Sequence, residues 1–436
     1  MLTVYTSKIT SRIIFTLNVI LKEHLSISFQ LTDSKSAFQS APTPKFSYDS
    51  QPVTDELFLW RHSIMLEDHI SLQEIRISEY ESEKVFFQVP REDSFLPFDI
   101  FGMTFYLLTR YEEYLPYQKD RYGRFPATES LAYKAGFLEK PLIDILVLKF
   151  AEKLKNIFPE LPYQTGAFKY VATYDIDNAY AFKHKGFLRT FGGLCKSLLK
   201  LNFKETRYRL SVLNDKSPDP FDNYDFMESL HERYHIEAYF FILFAPKSKH
   251  DRGLSPSNKA LHCLIRRLSE KNIVGIHPSF VAHFNDKRLS KETILLGKKL
   301  NAPITHARSH FLLLDFPKTY QSYIESGITN DFTMGYADQT GFRASTSKPF
   351  PFFDLTCNEE TKLIVHPFAY MDAALMSYLK KSPEEASELI HLLLQYVKSV
   401  NGIFISLWHN DNLGESNANE WRKLYQKFLI FSKSFE

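Results

Sequence analysis

Two aspartates, Asp175 and Asp177, end the apolar run Val171-Ala172-Thr173-Tyr174 and stand two residues apart. In extended backbone this spacing turns both carboxylates to one side, with Cα atoms about 6.6 Å apart. Anions that close repel unless a cation lies beside one of them. Such a pair can divide its work, one carboxylate holding a metal and the other acting as base. The competing reading is a solvated Asp-rich turn that caps a helix near Asn178. Company strengthens the chemical reading. In Gly275-Ile276-His277-Pro278-Ser279 the proline biases His277 away from helical angles and keeps its imidazole at a strand mouth. Further on, His306, Arg308 and His310 alternate with Thr305, Ala307 and Ser309, so three basic groups share a face. Lining a barrel, Arg308 and His310 would sit near the mouth and His306 deeper, as a structural residue. Imidazole with carboxylate is a normal donor set for a zinc-like divalent ion. His409 could be a ligand or a general acid, with Asp411 or another carboxylate raising its pKa. Arg343, His366 and Asp372 stand beside aromatic residues, a combination that suits a sugar-sized ligand.

These residues need elements to carry them, and beyond a joint at 159–166 the pattern becomes regular. Strand-like runs at 170–174, 238–244, 273–278, 304–311, 328–334, 363–368 and 402–408 alternate with amphipathic segments at 221–234, 257–270, 290–300, 317–326 and 383–400. Ser382 before Pro383, with Glu385 three residues on, is a helix-capping signature. Seven strands alternating with helices fit either a parallel barrel or an open sheet. Five of the seven runs end in His or Asp, and polar groups gathered from many strand ends favour the barrel. Residues 1–165 read as a smaller α/β domain, with an amphipathic stretch at 12–25 and helices at 97–114 and 141–158; residues 166–436 read as the barrel. The charges of Arg110-Tyr111-Glu112-Glu113-Tyr114 read as a solvated helix end.

The chain has 436 residues, enough for two domains, with 44% apolar and 24% charged residues. A formal charge of +2 without a block of like charges argues against nucleic acid as a partner. Three scattered cysteines, Cys195, Cys263 and Cys357, fit a reducing compartment. The apolar residues 14–21 lack the cleavage site of a signal peptide, and no run is long enough to span a membrane. The expectation is a cytoplasmic protein.

Taken together, residues 168–436 resemble the polysaccharide deacetylases, metal-dependent carbohydrate esterases with an irregular seven-stranded (β/α) barrel of the glycoside hydrolase/deacetylase superfamily. Thr173 to Asp177 resembles the family's first motif, which implies Asp175 as base and Asp177 as metal ligand. Gly402 to His409 resembles the closing motif, which implies His409 as general acid. Arg308-Ser309-His310-Phe311 stands where the family carries an arginine that orients the base. The second motif departs from the family, because His277 and His283 have five residues between them and on a helix would diverge by about 240°. The chain is also similar to a Bacteroidetes-type subgroup with His-Pro-Ser, Arg-x-His-Phe, Asp-x-x-Met-Gly-Tyr-Ala-Asp and Phe-Arg-Ala motifs, here at 277–279, 308–311, 331–338 and 342–344. That resemblance makes His310 the third ligand, with His283 as the alternative. It implies a divalent metal, zinc first and cobalt, manganese or nickel otherwise, and removal of an N-acetyl group from a saccharide or glycan precursor. Arg343, Tyr336, Asp338, His366, Asp372 and Trp408 are the expected substrate contacts. Two rival readings are a non-catalytic binder of glycan or nucleotide-sugar that has lost the metal, and a glycoside hydrolase using the paired carboxylates.

Overall fold

Residues 2–60 supply a four-stranded parallel sheet in the computed structural model, which describes residues 1–414 and 419–433. Its strands are β1 (Leu2–Tyr5), β2 (Phe29–Thr32), β3 (Lys45–Asp49) and β4 (Leu57–Trp60), in the order β2-β1-β3-β4. Between β1 and β2 the chain is helical over Ser11–Leu17 and winds on more loosely through Asn18–His24, where the amphipathic stretch at 12–25 lies. A hairpin, β5 (Ser78–Tyr80) and β6 (Glu83–Val85), precedes the helix Ile100–Leu108. This helix is shorter than the apolar spacing predicts because Arg110 turns left-handed (φ 53°) and stops it.

The stretch Arg110 to Tyr114 is not a solvated helix end. Arg110 is 1% and Glu113 5% exposed. The Glu113 carboxylate accepts hydrogen bonds from Arg110 Nε at 2.8 Å and from Arg343 Nε and Nη2 at 2.9 and 2.5 Å. Arg110 Nη2 donates to the Tyr336 hydroxyl at 3.3 Å. Buried charges persist only when paired, and the partner here lies 230 residues away, out of reach of any local pattern. Arg343 and Tyr336, expected as sugar contacts, are thereby occupied in a buried clamp.

A second sheet follows the order β12-β13-β11-β10-β9-β8-β7-β15-β14. Its strands are β7 (Lys169–Ile176), β8 (Glu237–Ile242), β9 (Ile273–Ile276), β10 (His306–Ala307), β11 (Asn330–Asp331), β12 (Phe350–Asp354), β13 (Glu359–Val365), β14 (Tyr370–Met371) and β15 (Ile403–His409). All neighbours are parallel except β12 and β13. Each of the seven expected runs overlaps one of these strands; β12 and β14 are additions. The run 359–371 reaches both flanks: Ile364 and Val365 pair with β11, and Tyr370 and Met371 pair with β15. β10 is shorter than expected because Phe311 (φ 60°) and Leu312 (φ 53°) turn the chain left-handed just after His310.

Alternation along these strands sorts the side chains into two apolar clusters. Val171, Tyr239, Phe241, Phe332, Ile405 and Leu407 form one, on the face that also carries Asp175. Tyr170, Ala172, Tyr174, Phe240, Phe404 and Trp408 belong to the other, packed against the helices. That larger core is continuous with residues 2–161, through contacts such as Phe15 and Phe105 with Phe353. Ser382 and Glu385 form the expected capping box at the start of helix Pro383–Ser399. Arg343→Ala would leave Glu113 paired to Arg110 alone, and an expected loss of about 3–5 kcal/mol is measurable by chemical denaturation.

Candidate active site

The strand ends bring Asp175, Asp177, His277, Arg308, His310 and His409 to one pocket; the Arg308 side chain stands behind Asp175. His277 lies one residue past β9, and its Nδ1 is 2.6 Å from the carbonyl oxygen of Arg308. A carbonyl can only accept, so Nδ1 carries a hydrogen and Nε2 is the nitrogen left to face the pocket. That Nε2 is 3.2 Å from Asp177 Oδ1 and 3.8 Å from Asp175 Oδ2. His310 repeats the arrangement with its Nδ1 3.0 Å from Asp251 Oδ1 and its Nε2 3.4 Å from Asp177 Oδ2. One ligand atom from each of Asp177, His277 and His310 lies within 4.8 Å of the others.

This donor set fits a divalent ion. Asp177 Oδ1 is buried without a hydrogen-bond partner, facing the Nε2 of His277. Burial by itself would raise Asp177 and lower His310, but their mutual attraction overrides it. Asp177 is held well below the carboxylate range by His310 and His277, and His310 is pushed up to about 9 by Asp177 and Asp251. The cluster therefore demands positive charge at its centre, from a proton or a metal ion. Two nitrogens and a carboxylate oxygen, each imidazole tied at its other nitrogen, are what a zinc-like ion takes.

Behind this cluster Arg308 is fully buried over the Phe241 ring, 4.6 Å from its centroid. It donates from Nη1 to Asp175 Oδ1 at 3.1 Å and from Nε to the Phe332 carbonyl at 2.8 Å. Asp175 is thus pinned at one oxygen while the other faces His277. Across the pocket, Asp372 receives the His409 backbone N–H and its Nδ1, both at 2.7 Å, and Asn412 Nδ2 at 2.9 Å. Burial would lower His409, but the Asp372 carboxylate overrides this and holds the imidazolium well above its ordinary range. The partner carboxylate is Asp372 rather than Asp411, and Asp372 orients His409 from a fully buried position instead of lining the pocket. Phe311, Leu312, Met371 and Tyr378 wall a cavity of ≈ 190 Å³.

Other expected contacts lie elsewhere. Trp408 points opposite to His409, as neighbouring strand residues must, and donates from Nε1 to the Tyr370 hydroxyl at 3.0 Å. His366 stacks on Phe332 with centroids 4.3 Å apart and faces Asn330 at the start of β11; burial takes its pKa down to about 3. Asp338 is half-buried beside Ala337, which does line the pocket. His283 lies outside the ligand cluster, edge-on to Phe284, with its Nδ1 buried and unpartnered. Two charged residues at the site were not anticipated. Asp251 comes from the loop after β8. Arg124 reaches the pocket from the N-terminal region, its Nη1 donating to the Phe311 carbonyl at 2.8 Å and its Nε to Asp120 at 2.7 Å. Nothing local marks either residue.

Comparison with known proteins adds a family for one part of the chain. Residues 2–159 match the model of a family of unknown function, DUF7033. No curated protein matches the chain. Among solved structures, the chain is similar to a candidate polysaccharide deacetylase from Mycobacterium smegmatis, with 11% identity, TM-score 0.41, 62% of this chain and 85% of the other covered. It is also similar to the Puue allantoinase, at 8% identity and TM-score 0.39 over 61% of this chain and 84% of the other. A polysaccharide deacetylase from Bacillus cereus matches at 10% identity and TM-score 0.28, over 60% and 87%. At such values the site's own geometry must carry the functional reading. Asp251→Asn is expected to weaken metal binding by roughly 10- to 100-fold while the protein stays folded, which titration calorimetry with zinc would measure.

Proposed function

We propose that this protein is a metal-dependent hydrolase that removes an acyl group, an N-acetyl, from a saccharide or glycan precursor. The observation that carries the reading is the convergence of the His277 and His310 Nε2 atoms on the Asp177 carboxylate, each ring tied at Nδ1 to an acceptor, beside Asp175 and opposite His409. In this reading the second sheet closes through the run 359–371 into an irregular (β/α) barrel over 166–436, and residues 1–165 form a module set against it.

Asp177, His277 and His310 would hold the ion, zinc by donor type, with cobalt, manganese or nickel as substitutes. A bound divalent ion would polarise the acyl carbonyl and lower the pKa of water from 15.7 to about 7. Asp175, with one oxygen held by Arg308, offers the other to the proton of the attacking water. His409 starts protonated because Asp372 keeps it so, and it passes its proton to the leaving nitrogen as the C–N bond breaks. Phe311, Leu312, Met371 and Tyr378 give the cavity an apolar wall, and it has room for an acyl group and part of one sugar ring.

Three outcomes are expected. The double variant His277→Ala/His310→Ala should lose stoichiometric metal on elemental analysis, and retention of a full equivalent sinks the ligand assignment. Incubated with N-acetylated saccharides, the metal-loaded protein should release acetate without reducing sugar; His409→Ala or Asp175→Asn should lower kcat by about 10² to 10⁴-fold. The pH profile has a definite sign. Asp372 raises His409, the acid must be protonated to act, and Asp372→Asn removes the raising charge, so the alkaline limb of kcat/KM should move to lower pH.

A further inference from the structure

The connection after Asp177 contains a helical hairpin, Phe187–Leu199 and Phe203–Leu213, that none of the catalytic chemistry uses. Its first helix places Phe187, Leu188, Phe191, Leu194, Cys195, Leu198 and Leu199 on one stripe, at the spacing by which a globular helix buries a face. Here most of that stripe points outward, with Leu194 and Cys195 half-buried. Phe187 is 81%, Leu188 84% and Leu199 85% exposed, and Phe187 and Phe191 stack on each other at 6.1 Å. The polar side is the one that packs inward: Ser197 is buried and accepts from the Thr206 hydroxyl at 2.9 Å, and Arg189 donates to the carbonyls of Gly253 and Arg252 at 3.1 and 3.0 Å.

The inverted orientation is built in. At the tip Leu201 turns left-handed (φ 53°) and is 73% exposed, and the Asn202 side chain caps the second helix by accepting from Glu205 N at 3.1 Å. At the root, the Asp219 carboxylate accepts from the backbone N–H groups of Ala181, Phe182 and Lys183. Charge then identifies the occupant of the face. Residues 183–213 hold eight Lys or Arg and one acidic residue, a net +7 with histidine neutral. Lys196, Lys200, Lys204 and Arg207 are exposed and have no carboxylate partner among the described residues. A second copy of this chain docking face to face would set these charges against their own kind. An anionic lipid surface instead supplies both an apolar layer for Phe and Leu and negative headgroups for Lys and Arg.

We propose that the 183–213 hairpin is an interfacial docking surface for an anionic lipid bilayer, with its Phe and Leu side chains in the headgroup boundary and its lysines on the lipid phosphates. No described helix is long and apolar enough to cross a membrane, so this is attachment to one face. Arg189 ties the hairpin to the loop that carries Asp251, so the attached surface adjoins the candidate site.

The test is flotation of the purified full chain with phosphatidylcholine vesicles that do or do not contain phosphatidylglycerol. The expected result is binding only to the anionic vesicles, falling as salt is added. Phe187→Ser/Leu188→Ser/Leu199→Ser and Lys196→Glu/Lys200→Glu/Lys204→Glu should each weaken partitioning by about tenfold or more with unchanged melting temperature, since every altered side chain is exposed. Absence of wild-type binding at low salt, or full binding by both variants, overturns the proposal. So does a wild-type dimer that the serine variant converts to monomer. No substrate enters the measurement, so its outcome is independent of the hydrolase reading.

Discussion

A carboxylate and two imidazoles meet in a half-buried space with Asp177 facing both Nε2 atoms, and the rest of the site follows from that. Each imidazole donates a hydrogen bond from Nδ1, His277 to the Arg308 carbonyl and His310 to Asp251. Without a metal, a protonated His310 supplies the positive charge that Asp177 requires; a divalent ion held by the three groups would take that place. The supports are therefore as specific as the ligands. Arg308 serves twice, its carbonyl fixing His277 and its guanidinium holding Asp175, so that base and ligand are positioned by one residue.

Strand alternation makes this possible. Asp175 shares the inner face of β7 with Val171, as His409 shares that of β15 with Ile405 and Leu407, and β7 and β15 lie in register so that His409 pairs with Asp175. Base and acid are thereby set on neighbouring strands. A one-residue slip would exchange them for Tyr174 and Trp408, which lie among the outer apolar residues.

The N-terminal region is bound to the rest by more than apolar packing. The Arg110–Glu113–Arg343 clamp and the Asp144 carboxylate, which accepts from Thr346 and Ser347, join the two through buried charge. Arg124 extends that connection to the pocket wall. The exposed apolar stripe of the 187–199 helix stands apart from this pattern, since its polar side is what the protein packs.

Seven strands and the helices between several of them were legible in the sequence because burial on a pleated or helical surface leaves a period of 2.0 or 3.6 in the residues themselves; the helices Phe187–Leu199, Phe203–Leu213 and Asn419–Lys433 and the strands β12 and β14 were not. The same local geometry made Asp175 and Asp177 a pair and set Arg308 beside His310. Tertiary structure alone decided which distant groups meet. Asp251, Asp372 as the partner of His409, and Arg124 act across gaps that carry no periodic signal. It also decided which charges lie buried, as at Glu113, and that the amphipathic 187–199 helix turns its apolar side out. A helix pattern records that one face is apolar; only the packed fold determines what that face meets.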